Sequence, residues 1–169
     1  MQVSDLERST LIDWLTQFSA VHQRAKSGAL SPEEKAAYLR SRDELAEALL
    51  TAQRLNLKPG EAQRRSLRVA QALPVELDLP QGRVAAVTLD LSTGGFSALV
   101  SEAPATGSPV GFKLKLGRTL APVLGRGKVV AVIPHKGSVR LGIMFEEVPE
   151  RDRLEFVIVD AILRQYGVR

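Results

Sequence analysis

A chain of 169 residues with 44% hydrophobic and 25% charged side chains is long enough to bury a core and too apolar to stay disordered. It has no cysteine, which excludes disulfides and thiolate metal sites and suits a reducing compartment such as the cytoplasm. The formal charge of +4 is unevenly placed, since residues 1–60 hold 8 basic and 8 acidic side chains and residues 61–169 hold 15 and 11; so modest an excess suits a small anionic ligand at least as well as a polynucleotide, which meets a denser basic face.

The opening MQVSDLERSTLIDWL carries Asp5, Glu7 and Asp13 where a secretory signal would be basic and then apolar, so no export by that route is expected. No stretch reaches the roughly 20 apolar residues of a spanning helix, and the chain is expected to be soluble, with no membrane partner. Two helices come first. Each opens on an S-x-x-E capping box, Ser4 with Glu7 and Ser31 with Glu34, and Pro32 stands at a first helical position. Leu11, Leu15, Phe18 and then Val21 or His22 recur at helical spacing in the first, and Leu39, Leu45, Leu49 and Ala52 in the second. The Ser27-Gly28 turn between them predicts an antiparallel hairpin. Its two apolar stripes must pack on each other, on the next domain or on a second chain. Lys58-Pro59-Gly60 ends the pattern, which makes residues 1–60 a helical hairpin for dimerisation or docking on an unidentified protein partner.

From Arg68 the apolar period falls to two. Val75–Leu79, Arg83–Leu89, Phe96–Val100, Phe112–Leu116, Lys128–Ile133 and Val139–Ile143 form six short half-buried strands between Pro, Gly and Ser turns, the pattern of a small barrel or sandwich. After Pro149 the helical period returns. Leu154, Val157, Ile158, Ala161 and Ile162 form a stripe that predicts a closing helix packed on the barrel. The fold expected is mainly β, α+β overall, with residues 61–169 as the second domain.

Two short patterns carry the chemistry. Gln63-Arg64-Arg65-Ser66-Leu67-Arg68 stands just before the first strand and Asp90-Leu91-Ser92-Thr93-Gly94-Gly95 at the end of the second. Either alone reads as a solvated charged turn or an ordinary hairpin connection. Together, Arg64 and Arg68 match R-x-x-x-R, and Asp90, Ser92 and Gly95 match [DN]-x-S-x-x-G, in the order found in the PilZ family. The chain resembles that family over roughly 61–169, including Leu141-Gly142-Ile143-Met144-Phe145, which is similar to the family's last-strand pattern. The helical segment 1–60 lies outside the resemblance.

The resemblance implies a six-stranded antiparallel PilZ-like β-barrel and cyclic di-GMP as the ligand. A guanidinium forks onto phosphate oxygens or onto guanine O6 and N7, and lies flat on a base, so Arg64, Arg65 and Arg68 suit both halves of that molecule. Asp90 suits the N1 and N2 edge of guanine. Ser92 suits either a phosphate or the turn itself, and Gly94 and Gly95 let backbone amides approach. Arg68, at the strand entrance, is expected to be the fixed arm and Arg64 and Arg65 the arms that move, so that ligand clamps the linker and sets the angle of the helices. Gln63, ahead of the first arginine, leaves open whether one nucleotide or an intercalated pair is taken.

What this implies is a receptor or adaptor acting in motility, surface polysaccharide or pilus control. The alternative is a PilZ-like interaction module that binds no nucleotide. No catalysis and no cofactor are expected. Ser92 lacks a histidine partner, and His22 and His135 lack a second metal ligand. Trp14 and Phe18, four apart, read as a packing pair. A nucleic-acid-binding barrel would interleave aromatics along its strands, and only 5% of this chain is aromatic.

Overall fold

The computed structural model describes residues 5–60 and 66–168, the side chains of residues 5–9 excepted. They divide into two compact units, residues 1–67 with 159–169 and residues 68–158.

The helical unit opens with α1 (Asp5–Lys26) and α2 (Pro32–Leu55). Ser31 caps α2, its hydroxyl accepting from the Glu34 amide at 3.2 Å, with Pro32 next in line. The counterpart Ser4 lies outside the described residues. Leu15, Phe18, Tyr38 and Leu45 are buried. Trp14 and Phe18 stack at 5.3 Å, and Phe18 and Tyr38 at 5.5 Å. The last turns of α3 (Arg151–Gln165) belong to this unit, because the division falls between Ile158 and Val159. The closing helix expected to pack on the barrel is therefore shared between the two units.

Seven strands make the second unit: β1 (Val69–Ala70), β2 (Pro74–Leu79), β3 (Gly82–Leu91), β4 (Gly95–Val100), β5 (Pro109–Leu114), β6 (Val123–His135) and β7 (Ser138–Glu147). All pair antiparallel in the order β1-β3-β2-β5-β6-β7-β4, and a β3–β4 ladder closes β2 to β7 into a six-stranded barrel, with β1 added outside the ring. Closure leaves the ring itself without an edge. The core holds Leu77, Leu91, Leu114 and Leu141, and a cluster in which Phe112 stands 5.3 Å from Phe96 and from Phe145.

The strand expected at Lys128–Ile133 is the 13-residue β6, Val123–His135, and the hairpin to β7 turns at Lys136-Gly137. Gly125 and Gly127 sit inside β6, not at its end. A Cβ on Gly125 would come 2.3 Å from the Phe112 ring, and one on Gly127 2.2 Å from the Met144 carbonyl. These glycines admit close neighbours within a strand, a use that a turn-based reading misses. Likewise β5 ends at Leu114, two residues before the expected Leu116.

Candidate functional site

A two-residue ladder joins the segment just after Arg68 to the start of the second motif. Val69 pairs with Leu91 and Ala70 with Asp90. Arg68 directly precedes Val69 and Ser92 directly follows Leu91. Arg68 is exposed and Val69 buried, so the alternation sends Arg68 to the outer side that Ala70 and Asp90 share. Arg64 and Arg65, with Gln63, lie outside the described residues.

Buried Thr88 anchors this arrangement. Its hydroxyl donates to the Gln71 carbonyl at 2.5 Å and accepts from the Leu73 amide at 2.9 Å, fixing the corner between β1 and β2. The β3–β4 register slips between Thr88 and Asp90, leaving Leu89 as the extra residue of a bulge. Such a bulge re-aims the residues that follow it. Beyond it Asp90 pairs with Ser97, which pairs in turn with Gly142.

In the Ser92–Gly95 turn the hydroxyl of Ser92 accepts from the amides of Gly94 and Gly95 at 3.2 and 3.1 Å and lies 3.1 Å from the Gly95 carbonyl, to which it donates. A serine hydroxyl has one donor and two acceptor sites, and all three are used. Of the two roles open to Ser92, the turn takes the whole of its capacity. The two glycine amides are likewise committed to Ser92. Gly95 has a further reason to lack a side chain, since a Cβ there would stand 2.0 Å from the Ile143 carbonyl oxygen, where β4 presses on β7. The turn is tied to α3 as well: Arg151 donates to the Thr93 carbonyl and lies over the Phe145 ring, 5.9 Å from its centroid.

Among the described residues, the Asp90 side chain keeps bonding capacity. Its Oδ2 accepts from Arg140 Nη2 at 2.6 Å, and Oδ1 has no hydrogen-bond partner among the described residues. Arg140, on β7, was not singled out from the sequence. The one local signal for it is its place in the outward set of the Val139–Ile143 alternation, two residues before Gly142. Around the pair, Val87, Ile133 and Met144 on the same outer wall are 48%, 51% and 42% exposed. The wall thus offers an acceptor, an exposed arginine and exposed apolar side chains. Among the described residues no cluster of three metal-ligating side chains exists, and no helix is long and apolar enough to cross a membrane.

A family model for the PilZ domain matches residues 62–158, more than half of the chain. The fold is similar to that of the Bacillus subtilis inhibitor of motility (MotI/DgrA), at 15% identity and a TM-score of 0.54 over 67% of this chain and 58% of that one. It is similar also to the PilZ domain of Escherichia coli YcgR with c-di-GMP, at 17% identity and a TM-score of 0.51 over 63% of this chain and 96% of that one. YcgR in complex with c-di-GMP aligns at 20% identity and a TM-score of 0.52 over 62% of this chain and 48% of that one. At these identities the likeness is one of fold, and the chain spans less than two thirds of the Bacillus subtilis protein and of that YcgR chain. No curated protein sequence matches significantly. With residues 62–158 matched by the family model and the barrel closed as that fold requires, the chain belongs to the PilZ domain family.

Proposed function

We propose that this chain is a non-enzymatic cyclic di-GMP receptor whose ligand lies on the outer wall beside Asp90, held by Arg68 together with Arg64 and Arg65. The observation that carries this reading is the β1–β3 register, which pairs Ala70 with Asp90 and so sets exposed Arg68 two residues ahead of the partner of an aspartate whose Oδ1 has no hydrogen-bond partner among the described residues. Cation and acceptor on one exposed surface answer the two parts of the ligand, its phosphodiesters and its guanine edges. Support comes also from the YcgR structures of the same fold, whose names state that they contain c-di-GMP.

Ser92, Gly94 and Gly95 act in this reading as the frame of the site, shaping the turn that holds Asp90 in place. The helical unit is the output element, which meets a protein partner or a second copy of the chain when the arginine segment closes on ligand. Leu11 and Trp14, on α1 and 38% and 39% exposed, are the surface offered for that contact. Cytoplasmic signalling in motility or surface polysaccharide control is the setting this implies.

Calorimetry of the full chain with cyclic di-GMP tests the reading. Saturable binding at micromolar concentration is expected, weakened at least tenfold in Arg68→Ala. Absence of heat, together with an amide NMR spectrum that stays unchanged during the titration, would leave the non-binding interaction module in its place. Light scattering with and without the nucleotide reads the output: a mass or partner state indifferent to ligand removes the role given to the helices.

A further inference from the structure

The Arg140–Asp90 pair is the strongest feature of the barrel that no motif accounts for. Arg140 is on β7 and Asp90 on β3, and between these strands runs β4. The row through Asp90 continues as Ser97 on β4, Gly142 on β7 and Ala131 on β6. After the aspartate it holds nothing larger than serine. A long side chain two residues along β7 can therefore reach back over this low row, and Arg140 does so, with 32% of its side chain exposed and 19% of that of Asp90. Had Gly142 a Cβ, it would stand 3.1 Å from that of Ala131 and narrow the passage.

A second observation points to a ligand at the same place. Ser97, 4% exposed, has a hydroxyl with no hydrogen-bond partner among the described residues. Buried hydroxyls are almost always paired, and one left alone beside a half-used carboxylate is a cost that an incoming polar group relieves.

Resting on the reading of this wall as a cyclic di-GMP site, we infer that Arg140 is a positioning residue for guanine recognition: by holding Oδ2 it fixes the carboxylate so that Oδ1 meets the N1–H and N2–H donors. Arg140 also offsets the negative charge that Asp90 would present to the phosphodiesters. It acts through Asp90, so its effect depends on that residue. Cyclic di-AMP lacks the guanine edge, so the pair favours one nucleotide over the other rather than tightening both.

The test is calorimetry of the full chain with cyclic di-GMP and with cyclic di-AMP, on wild type, Arg140→Ala, Arg140→Lys, Asp90→Ala and the double alanine variant. Arg140→Ala should weaken cyclic di-GMP by about 10- to 100-fold, the scale of a charged hydrogen bond, with little change for cyclic di-AMP. The double variant should bind as Asp90→Ala does, within about twofold, because an arginine acting through a carboxylate has nothing left to act on. Arg140→Lys keeps the charge without the fork and should recover only part of the selectivity; it also serves if the alanine variant does not fold. Unchanged selectivity in the folded Arg140 variants, or losses that multiply in the double variant, overturns the inference while leaving the receptor reading standing. A wild type that binds neither nucleotide overturns both.

Discussion

Both units of the chain set an aspartate against basic side chains, and they differ in what remains unused. In the helical unit Asp160 of α3 accepts from His22 Nε2 at 2.8 Å through Oδ1 and from Lys26 Nζ at 2.9 Å through Oδ2. An ionised carboxylate only accepts, so Nε2 carries a proton, while Nδ1 lies 2.7 Å from the Tyr38 hydroxyl. Every strong donor and acceptor of His22 and Asp160 is engaged, and the network joins three helices. In the barrel unit Arg140 takes one oxygen of Asp90 and leaves the other. A filled network specifies how elements pack, whereas a half-filled one keeps bonding capacity for something from outside. On the proposed function, that difference separates His22 and Asp160, which hold the architecture, from Asp90, which would serve recognition, although all three are polar residues withdrawn from solvent.

The largest effects should fall where no freedom remains. Gly95→Val forces a side chain onto the Ile143 carbonyl, backbone that cannot step aside, and is expected to cost about 3 kcal/mol or more in urea unfolding. A loss under about 1 kcal/mol would show the turn to be looser than its bonds indicate. Next comes His22→Ala, which strands the Tyr38 hydroxyl and one oxygen of Asp160 and empties a fully buried site; about 2–4 kcal/mol is expected. Hydrogen exchange should report that loss in α1 and α2, with cyclic di-GMP affinity held within threefold. If His22→Ala abolished binding in a folded protein, the separation of architecture from recognition would break.

Asp90→Ala should do the reverse. With Asp90 only part-buried and singly bonded, its removal is expected to change stability by no more than about 1 kcal/mol, while cyclic di-GMP affinity falls about 100-fold. Equal losses in both measurements would make the Asp90–Arg140 pair a strut of the barrel and not part of a site.

The same contrast explains what could be read from the residues alone. Signals between near neighbours were legible. Ser31 with Glu34 and Pro32 marks the start of α2, and alternation such as Val75-Glu76-Leu77-Asp78-Leu79 marks a strand because one face alone is buried. The arginine and aspartate motifs were legible as patterns, and the β1–β3 ladder sets Val69 and Ala70, next to Arg68, against Leu91 and Asp90. Partnerships across the fold were not legible. Asp90 and Arg140 are 50 residues apart, His22 and Asp160 138 apart, and nothing local to either residue names its partner. Gly125 and Gly127 resemble turn residues until Phe112 and Met144 are seen against them. His22, on the face with Leu15 and Phe18, reads as an ordinary packed histidine, and what it packs against is set by a helix at the other end of the chain.

The smallest effect is one of pH, and it isolates the filled network. Burial alone would raise the Asp160 pKa, but the hydrogen bonds and charges of His22 and Lys26 outweigh it and hold the carboxyl below its ordinary value of 3.8. The native state therefore prefers the ionised form more than the unfolded chain does. As pH falls through the unfolded value the unfolded chain takes up the proton first, and stability is lost until the folded carboxyl titrates too. The contribution of Asp160 should be constant from pH 7 to 5 and decline below about pH 4. Asp160→Asn removes the titrating group, so it should be less stable than wild type at pH 7, and the gap should narrow in acid. Urea melts of both proteins at pH 7, 5 and 3, followed by exchange in α1, measure that gap. A gap unchanged at pH 3 would mean that Asp160 holds the helices by shape and hydrogen bonding alone, without its charge.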